Sequence, residues 1–155
     1  MKNVIEKFYE AFNNKDAKTM ISFYNDDIVF KDPAFGTLKG EQAKNMWLML
    51  CQSQKNNDFK VTVSNIKYAK NEATAQWEAF YIFSKTGRKV HNKINGHFIF
   101  KDNTIISHID DFNLHKWAKQ ALGFKGWLLG GTSFFKDKLQ KQTNTLLKTF
   151  EKNQR

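Results

Sequence analysis

RKVHNKINGHFIFKDNTIISHIDDFN, residues 88–113, reads as two long strands joined by a tight turn at Lys101-Asp102-Asn103-Thr104. Asn and Asp tolerate the left-handed backbone that such turns need. Strand side chains alternate between faces, so Ile106, His108, Asp110 and Phe112 share one face of the second strand. Ile105, Ser107, Ile109 and Asp111 share the other. A histidine and a carboxylate set among Ile and Phe fit the wall of a ligand cavity. They fit equally a polar margin of a sheet, and parity alone leaves both readings open. The turn length is open too, because two-residue and three-residue turns bring opposite faces of the first strand beside His108.

Working back towards the start, the period of two persists. Ala73, Ala75, Trp77, Ala79, Tyr81 and Phe83 line one face of a long strand, with Phe80 and Ile82 on the other, and Thr86-Gly87 turns into the hairpin. Phe59, Val61 and Val63 alternate before a phase slip at Ile66 and Tyr68, which predicts a bulge. Asn71-Glu72 supplies the turn between these strands.

Before residue 59 the period is helical. Val4, Ile5, Phe8, Tyr9 and Phe12 mark a first helix. Asn13-Asn14-Lys15-Asp16 breaks it, and Asp16 is placed to cap a second helix with Ala17, Met20, Ile21 and Tyr24 on its apolar side. Asn25-Asp26-Asp27 reads as a turn, Ile28 to Asp32 as a short strand ended by Pro33, and Ala34 to Gly40 as a loop. Ala43, Met46, Trp47 and Leu50 mark a third helix. Helices followed by antiparallel strands predict an α+β fold, with helices packed on one face of a curved antiparallel sheet. Apolar residues on both faces predict a covering partner on the outer one, most simply a second copy.

Composition narrows the function. The chain has 155 residues, enough for one domain with a real core. Aromatics make up 15%, which argues against disorder. No apolar run reaches the ~20 residues of a membrane span. The N-terminal pattern is amphipathic and does not read as a signal peptide. The lone Cys51 excludes a disulfide framework and predicts a reducing, cytoplasmic setting, with the thiol as packing. Net charge is +10, yet all but two of the 25 basic residues are Lys; only Arg88 and Arg155 offer a guanidinium. Specific nucleic-acid sites lean on Arg, so the charge reads as a solvated surface. The four histidines show no metal-ligand spacing, Gly130-Gly131 lacks the phosphate-loop context, and no dinucleotide fingerprint is present, so no metal or cofactor is expected.

The order of elements and several motifs resemble the nuclear transport factor 2-like superfamily, near its SnoaL-like branch and ketosteroid isomerase. FYNDDIVFKDPAFGTLKG at 23–40 is similar to the isomerase's helix, strand and loop. GRK at Gly87 to Lys89 and GHF at Gly96 to Phe98 resemble its GRK and Asp-His-Phe. IISHIDDFNLHKWAKQALG at 105–123 resembles a SnoaL-like last strand and helix. The resemblance covers roughly residues 3–122 and implies a cone-shaped sheet wrapped around the N-terminal helices, with an apolar pocket. It places Asp32 on the isomerase's catalytic base, and Phe8 on the position of its oxyanion-hole Tyr. Trp47, Phe83, Phe98, His108, Asp110 and Phe112 fall on pocket-lining positions, with Trp77 and Tyr81 also inside.

Two departures count against steroid isomerisation. Phe8 and Gly96 stand where the isomerase's oxyanion-hole Tyr and Asp fall, and neither side chain donates a hydrogen bond. A base without electrophilic stabilisation loses what is usually the largest catalytic contribution. Tyr9, about 100° round the helix, is a poor substitute. The expected catalytic set is Asp32, His108 and Asp110, since a His-x-Asp pair resembles the proton-transfer pair of SnoaL-like cyclases. The ligand-binding set is Phe8, Trp47, Trp77, Tyr81, Phe83, Phe98 and Phe112, around a small apolar molecule. Two readings stand: an acid/base enzyme of isomerase, cyclase or hydrolase type, or a non-catalytic binding or dimeric module joined through the outer sheet face. In the second, Asp32 caps the turn at Pro33 and His108 pairs with Asp110.

Residues 1–122 form the expected domain, and 123–155 a connector and amphipathic helix packed on it. Ser133 is placed to cap that helix, with Phe135, Leu139, Leu146, Leu147 and Phe150 on its apolar side. The alternative for this tail is a peripheral membrane contact, because basic amphipathic segments beside Trp-Leu-Leu suit a lipid interface.

Overall fold

A computed structural model describes residues 3–154; Met1, Lys2 and Arg155, the second of the two arginines, lie outside it. The chain runs α1 (Val4–Asn13), α2 (Ala17–Ser22), β1 (Tyr24–Asp32), β2 (Gly36–Lys39), α3 (Glu41–Ser53), β3 (Phe59–Tyr68), β4 (Glu72–Phe83), β5 (Arg88–Lys101), β6 (Thr104–Asp111), α4 (Leu114–Leu122), α5 (Phe124–Leu129) and α6 (Ser133–Asn153). The fold is α+β, as expected: one curved, unclosed sheet in the order β2-β1-β6-β5-β4-β3, with the N-terminal helices in its hollow. All neighbours pair antiparallel except β1 and β6, which run parallel.

The hairpin of β5 and β6 turns on two residues. Asp102 and Asn103 both have positive φ, and Lys101 pairs with Thr104. The register then slips: Phe100 faces Ile105, but Ile99 faces Ser107, so Ile106 is the extra residue. This bulge resets the alternation, and Ile105, not Ile106, shares the core face with His108 and Asp110. Strand β4 keeps the expected order, with Ala73, Ala75, Trp77 and Ala79 buried. The predicted bulge in β3 lies between Ser64 and Lys67.

Other local readings need correction. The segment expected to be a loop from Ala34 to Gly40 contains β2, whose Leu38 is buried and whose Gly36 pairs with Asp32. The Asn25-Asp26-Asp27 turn lies within β1. Asn25 Oδ1 accepts the Asp27 N–H at 3.0 Å, so turn chemistry appears as a bulge that interrupts the pairing with β6. Asp16 does cap α2, its carboxylate accepting the Thr19 N–H at 3.1 Å. Helix α6 is capped by Thr132 in place of Ser133.

The core sits between the sheet's hollow and helices α1 to α3. Helix α1 turns a broad apolar face to the core, and Ile5, Phe8, Tyr9 and Phe12 are all buried. A smaller cluster under α4 joins Val90, Trp117, Ala118 and Ala121. Helix α6 returns across α3 and the loop that follows β1. Gln140 Nε2, Thr143 Oγ1 and Asn144 Nδ2 donate to the carbonyls of Pro33, Ala34 and Phe35 at 3.1, 2.8 and 2.8 Å.

Candidate functional site

The inner face of β6 carries His108 and Asp110, both buried. Five side chains form one hydrogen-bonded run. Trp47 Nε1 lies 2.7 Å from Tyr24 Oη, which lies 2.7 Å from His108 Nδ1. His108 Nε2 is 3.0 Å from Asp110 Oδ1, and Trp77 Nε1 is 3.1 Å from the same oxygen. The indole can only donate, and the carboxylate oxygen accepts. The polarity that uses every proton therefore runs from Trp47 to Tyr24, from Tyr24 to Nδ1, and from Nε2–H to Asp110. Aromatic rings close around the imidazole: Phe98 at 4.2 Å, Phe30 at 5.2 Å, Phe8 at 5.6 Å, and Trp47 stacked at 5.9 Å between centroids.

Asp32 reaches the same place from β1. Phe30 pairs with His108 across the parallel ladder, so Asp32, two residues on, stands level with Asp110 on the same face. Burial pushes its carboxyl up to about 7; the Phe35 N–H, 2.6 Å away, opposes this, and the charge of Asp110 adds to it. Asp32 thus closes the turn at Pro33 while it adjoins the buried pair. Across β6, Gly96 pairs with Asp110. A Cβ at Gly96 would lie 2.9 Å from the Phe98 ring and 3.1 Å from Asp110 Oδ1, so a side chain here has no room.

Tyr9 is the residue that helical spacing undervalued. Its ring packs 5.2 Å from Trp77, and its phenol is buried without a hydrogen-bond partner among the described residues. Burial first, then the charge of Asp110, raise its pKa well above the ordinary value. It stays protonated as a donor near Asp110. The 100° offset from Phe8 does not turn it away, because the buried face of α1 is broad enough to hold Ile5, Phe8, Tyr9 and Phe12 together. Apolar or aromatic residues at 5, 8, 9, 11 and 12, against exposed Lys7 and Glu10, are the available signal of so broad a buried face.

The expected ligand-binding residues divide. Phe8, Trp47 and Phe98 surround His108, and Trp77 holds Asp110. Phe83 packs instead on the cluster under α4, and Tyr81 and Phe112 bridge that cluster and the main core, with Tyr81 Oη accepting Trp117 Nε1–H at 2.7 Å. Two depressions of about 620 and 520 Å³ lie at the outer face and rim of the sheet; neither is lined by Asp32, His108 or Asp110. No group of three or more His, Cys, Asp or Glu suited to a metal occurs among the described residues.

The family model of the SnoaL-like domain matches residues 5–108. No curated protein is detectably similar in sequence. An LEH-like epoxide hydrolase of M. tuberculosis is 22% identical with a TM-score of 0.59, covering 81% of this chain and 87% of its own. A candidate polyketide cyclase of Xanthomonas campestris pv. campestris is 18% identical with a TM-score of 0.60, covering 75% and 92%. A Catenulispora acidiphila protein with a ketosteroid isomerase-like fold, in complex with trimethylamine, is 13% identical with a TM-score of 0.65, covering 78% and 93%. At these identities the likeness is one of fold.

Proposed function

The chain belongs to the SnoaL-like domain family, and on that footing we propose that it performs acid/base chemistry on a small apolar molecule bearing a carbonyl or hydroxyl group. One observation carries the reading: the buried run of hydrogen bonds ends on Asp110, beside Asp32 and the unpartnered phenol of Tyr9. Two carboxyl groups with different surroundings, next to a fixed donor, are what a proton transfer from carbon to oxygen needs.

The roles follow from which polar atoms the hydrogen-bond network leaves free. Asp32, half-buried with its carboxyl near 7, exchanges a proton with the substrate at neutral pH. Tyr9 donates a hydrogen bond to the substrate oxygen on which charge builds, the part Phe8 and Gly96 cannot play. Asp110 receives or returns the second proton. His108 has no exposed surface, and both ring nitrogens are engaged. It is a positioning residue that aims Asp110. Epoxide hydrolase and polyketide cyclase, named for structures of the same fold, are reactions of this acid/base kind.

A second reading, a non-catalytic binding or dimeric module, draws on the completeness of the network around His108, which satisfies every polar atom of the ring. The exposed Ile82, Ile99 and Ile109 on the outer face suit a second copy. A thermal-shift panel of steroids, terpenoids, aromatic polyketides and fatty acids tests both, since a ligand of the folded form raises the melting temperature by mass action. The catalytic reading expects a ligand that is converted by the wild type and left unconverted by Asp110→Asn. Tight binding with no product from the wild type selects the module.

A further inference from the structure

Half of the large apolar side chains exposed among the described residues fall in one short stretch: Phe124, Trp127, Leu128, Leu129 and Phe134. They are not a frayed end. Helix α5 lies on α4 at backbone contact through Gly126 and Gly130. A Cβ at Gly126 would stand 1.8 Å from the Ala118 carbonyl oxygen, and one at Gly130 would stand 2.5 Å from Ala118 Cβ. His115 Nε2 meets the Trp127 carbonyl at 2.7 Å and ties the same turn down. With its small residues inward, α5 turns Phe124 (73% exposed), Trp127 (51%) and Leu128 (59%) out together. The Phe124 and Trp127 rings lie 5.6 Å apart.

The charge along this stretch of chain is of one sign. Between Asp111 and Asp137 the chain carries Lys116, Lys119, Lys125 and Lys136 and no carboxylate, and all four lysines are exposed. The whole chain is at +10. Two copies meeting through this patch would bring like charges together, which disfavours self-association here. No helix among the described residues is long and apolar enough to cross a membrane. A rigid apolar tip of Trp, Phe and Leu, flanked along the chain by exposed lysines, suits a surface that is apolar beneath and anionic above.

We propose that α5 and the first turn of α6 dock the protein on an anionic lipid surface, with Phe124, Trp127 and Leu128 at headgroup depth and the lysines against lipid phosphates. The test uses the full chain with phosphatidylcholine vesicles, with and without phosphatidylglycerol. Trp127 is the exposed tryptophan, the other three being at most 8% exposed, so its insertion is read directly as a blue shift in emission. The expected result is co-sedimentation with the anionic vesicles that weakens with salt. In Trp127→Ser/Leu128→Ser, partitioning falls roughly tenfold or more. Lys125→Glu weakens it too, and the melting temperature of both variants holds. Wild-type protein left in the supernatant overturns the proposal, as does equal pelleting of the double variant. Sedimentation velocity without lipid supplies the remaining outcome: a wild-type dimer that the double variant splits gives the patch to a second copy and refutes the lipid contact.

Discussion

Tyr24 Oη and His108 Nδ1, 84 residues apart in sequence, meet at 2.7 Å inside the core. The phenol also takes the Trp47 N–H, so one oxygen fixes both an indole and the tautomer of the imidazole. Tyr24→Phe would leave a buried donor and a buried acceptor unpaired. We expect a loss of about 2–4 kcal/mol in urea unfolding. Nitrogen chemical shifts of His108 would move from the Nε2–H tautomer in the same variant. A loss under half a kcal/mol would mean that the two groups find other partners.

Asp110 accepts two N–H donors on one oxygen, and an amide oxygen can accept both. Asp110→Asn is therefore expected to keep the fold, whereas Asp110→Ala orphans Trp77 and His108 and costs several kcal/mol. Thermal unfolding of the pair checks this. Equal destabilisation by Asn and Ala would show that the charge, and not the acceptor, holds the network.

Asp32 titrates near 3.8 when unfolded and at about 7 when folded. Between these values the folded state binds the proton more tightly, so its contribution to stability falls as pH rises through that window and stays lost above it. Asp32→Asn removes the fall. The variant should gain on the wild type from about pH 4 to pH 8, by a few kcal/mol at most. Parallel stability curves across that range would rule out a carboxyl held near neutrality.

Gly96 is a steric requirement of its strand pair. Gly96→Ala puts a methyl group 2.9 Å from the Phe98 ring, and we expect about 1–3 kcal/mol of destabilisation. The larger Gly96→Asp, which would imitate the isomerase's acid, should be worse, because it adds a carboxylate against Asp110. A stable Gly96→Asp with unchanged melting temperature would contradict this packing.

Much of the fold was readable because strands such as β4 announce themselves by alternation and α1 by its repeat of apolar residues. The sequence leaves the turn length open, and positive φ at both Asp102 and Asn103 makes it two residues. Strand β2 is four residues long and too short for a period to show. The parallel pairing of β1 with β6 joins distant segments, and no local pattern encodes it. His108 and Asp110 could be found as residues, since their strand is distinctive. Helical spacing carries on to Tyr24, which the structure puts in β1, and it turns Tyr9 away from Phe8, because spacing gives a residue's direction but not the width of the face that the fold buries. Helix α5 was read as a connector, since glycines that break most helices here permit contact with α4.

The three side chains of α6 that hold the Pro33 to Phe35 carbonyls invite a direct test. Replacing Gln140, Thr143 and Asn144 together by Ala should cost about 1 kcal/mol per bond. It should also admit water to the loop that carries Asp32, drawing its carboxyl down from about 7. An unmoved Asp32 titration would mean that the loop stands without the helix.

Those bonds span 107 to 109 residues, so the loop around Asp32 is completed by a segment synthesised more than a hundred residues later. On the ribosome, all six strands can pair once β6 has emerged. The carbonyls at positions 33–35 must wait for α6. The nascent chain therefore passes through a stage with its strands paired and the loop around Asp32 unfinished, so that corner is completed with the last helix, well after the architecture.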